Sequence, residues 1–443
     1  MGRVEKRNNR KVSFHKVFNI ISFIFLFTCV AVYGYRFITL YLENNKSEKT
    51  KQIADTIKDN NESNKNFKNI KGDYYFYGSD ENNYVKYSNM LWRIIKIDKK
   101  GNVVISLDNS AGVLAKGTDE FLKSSLKDWL NDTKSDSSGI FQNALNDVPQ
   151  YLSYTESCLD DVTDIEKITC EKKSSNVYVT IPSLNDYVNT GSSKSFLNNG
   201  DYYYLINNEG KDKTWCVDSE GKIGSSSGSD VIGIKPVVTI KNLTIVKSGD
   251  GSKASPYEFE DGVSSLIGSY VKLGNDIWQV YSEDDDKVKL VLDNYITVNG
   301  EEVQNRYSRS GYQFNASEYG SLANYLNNKY FNSLAYNKVL EEFSIFNGVY
   351  TNYDYRELLK SSVNTKVGIL SVGDIIFSSE KTDYFLSTGV NGENNMMYVY
   401  QTGSKLQTRS MTNMLNIVPT ISIKKSLILE HGTKEKPYEV AYE

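Results

Sequence analysis

Histidine is almost missing from this chain: there are two in 443 residues, His15 and His431. His15 lies in a basic N-terminal tail and His431 in the last turn, so no Ser-His or Cys-His pair backed by a carboxylate is suggested, and multi-histidine metal centres are excluded by count. Cysteine is also scarce. Of four, Cys29 falls in an apolar run, which leaves Cys158, Cys170 and Cys216. Cys158 and Cys170 stand twelve apart, and closing so short a loop in an exported protein would stabilise it by roughly 3 kcal/mol. They are the candidate disulfide. Cys216 is then odd; it would alternatively take either partner, or all three thiols would stay reduced.

A basic stripe is absent as well. Residues 1–16 carry six of the 51 Lys and Arg against one acidic residue, leaving 45 basic and 54 acidic side chains in the remainder. Nucleic acid, which needs clustered cations to neutralise its phosphates, is therefore excluded as a partner. Acidic runs such as Asp160-Asp161 and Asp284-Asp285-Asp286 lack the loop pattern of a calcium site and read as solvated tips; no metal and no cofactor is expected. Gly224-Ser225-Ser226-Ser227-Gly228 fits a nucleophile-elbow spacing, but no strand-turn-helix context surrounds it. It reads as a flexible loop. Tyr, Asn and Lys are abundant, which suits a sugar-binding surface but equally the bias of an AT-rich genome, and the second explanation is preferred.

What is present begins with a tether. Residues 17–35 hold no charge, and nineteen helical residues span about 28 Å, close to the apolar thickness of a bilayer. With Lys and Arg crowding the N-terminal flank, residues 1–16 read as a cytoplasmic tail and 17–42 as a transmembrane signal anchor that meets the lipid bilayer. A cleaved secretory signal ending near Ala31 is the alternative, and would give a secreted protein. Residues 43–70 are mostly Asn, Lys, Ser, Asp and Glu and read as a polar stalk, with a short helix around Ile53 to Ile57 stopped at Asn60 and Asn61.

Beyond the stalk the chain repeats itself. "LWRIIKI" from Leu91 matches "IWQVYSE" from Ile277; "VISLDN" matches "KLVLDN"; "SLKDWLND" at 125–132 matches "SLANYLNN" at 321–328. Further on, "TIPSLNDY" at 180–187 matches "GILSVGDI" at 368–375, Asp201 aligns with Asp383, "IKPVVTIK" at 234–241 matches "IVPTISIK" at 417–424, and "GSKASPYEF" from Gly251 matches "GTKEKPYEV" from Gly432. Offsets stay between 181 and 196, so the order is conserved while loops differ. Two tandem extracellular modules are expected, 71–260 and 261–443.

The local patterns give each block a shape. Residues 91–97 and 103–107 are β-branched and apolar around a Gly-containing turn, which predicts a hairpin. "SSLKDWLND" opens on a capping Ser and spaces Leu126, Trp129 and Leu130 as one helix face, with Tyr325 taking the place of Trp129 in the second copy. Pro236 and Pro419 each begin a strand. The fold class is therefore α+β with mostly antiparallel sheet. Positions matched in both copies, including Trp92 and Trp278, are assigned to the shared fold. Each closing Gly-to-Pro-Tyr-Glu stretch is read as an exit turn.

The segments Leu91-Trp92-Arg93, Leu126-Lys127-Asp128-Trp129-Leu130-Asn131 and Gly233-Ile234-Lys235-Pro236 resemble an uncharacterised module family of Gram-positive exported and membrane-anchored proteins. That resemblance implies a fold distantly like the C-type lectin and formylglycine-generating-enzyme fold, and implies no activity. The second copy departs from it at Gln279, Tyr325 and Val418. Ligand contacts are expected among unmatched aromatics, with Tyr202, Tyr203, Tyr204 and Trp215 in the first copy and Tyr350, Tyr353 and Tyr355 in the second as candidates for a stacking surface. The function expected is non-catalytic binding or scaffolding at a bacterial cell envelope, to a wall glycan or an envelope protein. An exported wall-polymer enzyme using two carboxylates is the alternative.

Overall fold

The strand Met90–Ile97 is apolar along most of its length and has Trp92, Ile94, Ile95 and Ile97 fully buried, so it must lie inside a sheet rather than at its rim. In the computed structural model it pairs antiparallel with Tyr84–Tyr87 and Asp73–Phe76 at opposite ends of one side, and with Val103–Leu107 on the other. The structure describes Arg36 and residues 51–442, apart from residues 80, 118–119, 133–140, 263, 352, 359 and 378–380. The expected tail, and the anchor apart from Arg36, lie outside these residues. Among the described residues no helix is long and apolar enough to cross a membrane.

The first half builds two sheets. One runs through Phe67–Ile70, Asp73–Phe76, Met90–Ile97, Val103–Leu107, Val237–Ile240 and Leu152–Ser153; the other runs through Ile223–Ser227, Lys213–Val217, Tyr203–Gly210, Ile232–Ile234 and Gly112–Leu114. The second half also builds two principal sheets, from strands of its own. The architecture is α+β, with mainly antiparallel pairing.

Equivalent backbone bonds recur in the two halves. Tyr84–Tyr87 and Met90–Ile97 form a hairpin as Tyr270–Leu273 and Asp276–Glu283 do, and each long strand has a bulge at the same step, between Ile94 and Lys96 and between Val280 and Ser282. Leu107 N donates to Pro236 O at 2.8 Å, and Leu292 N to Pro419 O at 3.1 Å. Both prolines begin strands that pair on both sides, Val237–Ile240 and Thr420–Lys424. Trp278 is fully buried, as Trp92 is. One alignment shifts by a residue. Strand pairing sets Gly233 beside Tyr203 and Asn416 beside Tyr384, so Tyr203 rather than Tyr202 corresponds to Tyr384.

Helix Ser125–Asn131 is capped by Ser124, whose hydroxyl accepts from Lys127 N, and buries Leu126, Trp129 and Leu130. In the second half Ser321 caps three successive helical segments, Leu322–Asn324, Tyr325–Tyr330 and Phe331–Ser333, the middle one wound as a π-helix; Tyr325 stays half-buried. At the end of each first turn an asparagine ties helix to chain. Asn131 Nδ2 donates to Val179 O at 2.9 Å while its Oδ1 accepts from Tyr178 N and Val179 N, and Asn327 repeats this with Val367 O, Lys366 N and Val367 N.

Three expectations are corrected. The Pro-Tyr-Glu stretches are strand-like closures, not exit turns: Tyr257 bridges parallel to Val85, and Tyr438–Glu439 pairs parallel with Val271 and Lys272. The preceding glycines permit the approach, since a Cβ on Gly432 would lie 2.1 Å from Tyr270 O and one on Gly251 2.6 Å from Asn82 O. Residues 52–70 are not a solvated stalk. Helix Ile53–Asn60 buries Ile53, Ala54 and Ile57, Ile53 N donates to Thr244 O, and Phe67–Ile70 is the edge of the first sheet. The Gly/Ser run at 224–228 is largely the edge strand Ile223–Ser227, whose pairing with Lys213–Val217 satisfies its backbone.

The halves are not separate beads, for residues 52–443 form one compact unit. Trp129 Nε1 donates to Gly373 O at 2.7 Å, Gly373 N to Val113 O, Ile376 N to Ala111 O, and Tyr202 N to Gly403 O. Tyr355 N donates to Ser125 Oγ, and Arg356 lies 3.6 Å from Asp128.

Candidate functional site

The candidate aromatics do not make a stacking surface. Tyr203, Tyr204, Tyr350 and Tyr355 are buried, and Tyr202, Trp215 and Tyr353 are half-buried. Several polar tips are used internally: Tyr204 donates to Ser227 O and Asp230 O, and Trp215 Nε1 to Val162 O, while the Tyr350 hydroxyl is buried without a partner among the described residues. Rings satisfied in this way belong to the core. Cys158 and Cys170 are joined by a disulfide, and Cys216 is a free buried thiol whose pKa burial raises.

Four buried cations carry the other unusual chemistry of the interior. Arg93 is locked by Asn83 and Tyr84, stacked on the Tyr84 and Phe196 rings, and lies 3.7 Å from Asp108. Lys235 Nζ meets Asp108 O, Leu197 O and Asn199 Oδ1, each at 3.1 Å, and burial lowers its pKa. Where the second half has Val418, Lys381 reaches Leu292 O from another loop, and burial pulls it down to about 8. Lys116 is fully buried on three uncharged acceptors, Ile206 O, Asn208 Oδ1 and Thr214 Oγ1, which fixes it in place; burial lowers it to about 7. None of these lines either of the two hollows around Glu81.

The cavities lie elsewhere, in the segment read as a stalk. Two adjoining hollows of about 350 and 540 Å³ share Asn66 and Glu81. The first is lined by Asn60, Asn61, Asn64, Asn82 and Asp250, the second by Tyr77, Gly78, Ser79, Ser193, Lys194, Ser195 and Asn198. Helix Ile53–Asn60 brings the first asparagines, the bend before Phe67–Ile70 brings Asn64 and Asn66, and the turn after Leu184–Asn189 brings residues 193–198. Glu81 is 6% exposed, and its carboxylate oxygens accept from Asn64 Nδ2 and Asn66 Nδ2, both at 2.8 Å. Asn64 Nδ2 also donates to Asn61 Oδ1, and Asn60 Nδ2 to Tyr257 OH. Lys68 sits over the Tyr77 ring at 3.3 Å.

Such a lining is rich in groups that both donate and accept. Side-chain amides offer one acceptor oxygen and two donor hydrogens each, the complement of neighbouring hydroxyls. Lys194 is the single cation of the lining against Glu81 and Asp250, which disfavours polyanions. Among the described residues no group of three or more His, Cys, Asp or Glu side chains could hold a metal ion. The groove is not legible in the sequence, because its asparagines look like the solvated residues of a polar stalk and Glu81 carries no motif. The one available signal was that this stretch has no counterpart in the second copy. No family model, curated protein or solved structure matches the chain.

Proposed function

We propose that this chain is a single-pass membrane protein, N-terminus inside, that displays two copies of one module at a bacterial cell envelope and binds a hydroxyl-rich wall glycan without cleaving it. The amide-lined groove around Glu81 carries the reading, since it is a polar hollow built from converging elements. The recurrent bulge, asparagine tie and closing strand support the two-copy part, and the uncharged residues 17–35 behind a basic tail support the anchor. The family resemblance, with its C-type-lectin-like fold, remains part of this proposal.

The test is binding of a soluble fragment, residues 51–443, to purified wall glycan by titration calorimetry. Asn66→Ala with Asn198→Ala should weaken binding at least tenfold while the thermal unfolding midpoint stays within a few degrees. Unchanged affinity in this pair would remove the groove from the account. Hydrolysis of the glycan, abolished by Glu81→Gln, would instead establish the enzyme alternative.

A further inference from the structure

One contact between the halves is directional: the first half contributes residues 111–113, 125–129 and 202, the second contributes 355–356, 373–376 and 403–404, while a separate seam ties Asn89 and Asn146 to residues 264–267. A heterologous contact of this kind leaves, in principle, one open face at each end, onto which further units could add. Two glycines make the first half receptive. A Cβ on Gly112 would lie 2.7 Å from Asp374 O, and one on Gly233 would lie 2.8 Å from Ser404 Cβ, as well as 2.6 Å from Tyr202 O and 2.7 Å from Ser110 Oγ of its own half.

Backbone bonds locate the same face in the second half. Ala111 N donates to Ile234 O as Ile296 N donates to Ile417 O, and Val113 pairs with Gly233 as Gln304 pairs with Asn416. Ile296 thus stands for Ala111 and Gln304 for Val113, so the single residue Gly112 corresponds to seven, Thr297 to Val303. Six of these form an exposed hairpin, Thr297 to Glu302, turning on Asn299 and Gly300, both with positive φ. Gly233 has become Asn416, whose amide is bonded to Glu302 and Gln304, and Trp129 has become Tyr325. All three features that receive a neighbour are altered at once. At the other end Tyr75, in strand Asp73–Phe76, donates to Asp186, the residue that corresponds to Asp374.

We propose that the hairpin at 297–303, with Asn416, closes the second half's receiving face against a further unit of the same kind. This inference rests on the two-copy part of the functional reading and is independent of the glycan. The 51–443 fragment should unfold in a single calorimetric transition, and replacing Gly112 by the heptapeptide of residues 297–303 should split it into two and open the 241–269 segment to trypsin. The milder Trp129→Tyr should lower the midpoint without splitting it. A transplanted chain that still unfolds once at an unchanged temperature would overturn the proposal. Conversely, excising 297–303 to a single Gly should leave the unfolding midpoint within about two degrees; collapse of the second half would make the hairpin structural and also overturn it. In a chain with residues 261–443 repeated after Glu443, the added unit's residues 373–376 should gain amide protection only once the hairpin is excised.

Discussion

Lys116 shows how a single buried cation sets a pH dependence. Its ammonium is satisfied by a carbonyl, an amide oxygen and a hydroxyl, none charged, so burial pulls the amine down to about 7 from 10.5. Because the folded value lies below the unfolded one, its contribution to stability is fully present above about 10.5 and declines as pH falls to about 7. Lys116→Met should therefore flatten the rise in stability between pH 7 and 10 in denaturant titrations, and an unaltered slope would show that this lysine does not titrate there. Sequence gave no access to this residue, since an isolated lysine after an apolar strand looks solvent-facing until Ile206, Asn208 and Thr214 close over it. The aromatic candidates failed for a similar reason: residue type tells that a tyrosine wants burial and a partner for its hydroxyl, not whether both are found inside.

At the scale of elements, the most transferable device is the asparagine that ends the first turns of each matched helix. Asn131 and Asn327 each satisfy an extended segment's carbonyl and amides, which the sheet leaves unpaired there. Asn131→Ala or Asn327→Ala should cost about 2–4 kcal/mol, on the basis that buried peptide groups left without a partner cost roughly 1–3 kcal/mol each. Equilibrium unfolding measures it; a loss below about 0.5 kcal/mol would mean that water replaces the side chain. These helices, the hairpin around residues 98–102 and the proline-led strands were legible because cap, periodicity and turn chemistry are local. The match of "YVKYSN" with "YVKLGN", residues 84–89 and 270–275, is equally legible. The closing strands were not legible in kind, because a two-residue parallel pairing depends on where the other end of the module lies.

For the molecule as a whole, the N-terminal boundary matters most. Ile53, Ala54 and Ile57 look too sparse to form a core, yet they share one helix face and the surface that receives it includes Thr244, almost two hundred residues away. Starting a fragment at residue 71 removes this helix and an edge strand, so it should melt well below one starting at residue 51 and lose glycan binding together with Asn60, Asn61, Asn64 and Asn66. Equal midpoints in differential scanning calorimetry would return the segment to the status of a tether.

The parallel pairing of Val271 and Lys272 with Tyr438 and Glu439 has a mechanical meaning. Tension applied between the start and the end of the second half pulls those two strands in opposite directions along their own axes. Their hydrogen bonds, and the interlocked side chains around them, are then loaded in shear and must give way together rather than one after another as in unzipping. Any load carried between the two ends of the second half meets this seam in its resistant orientation.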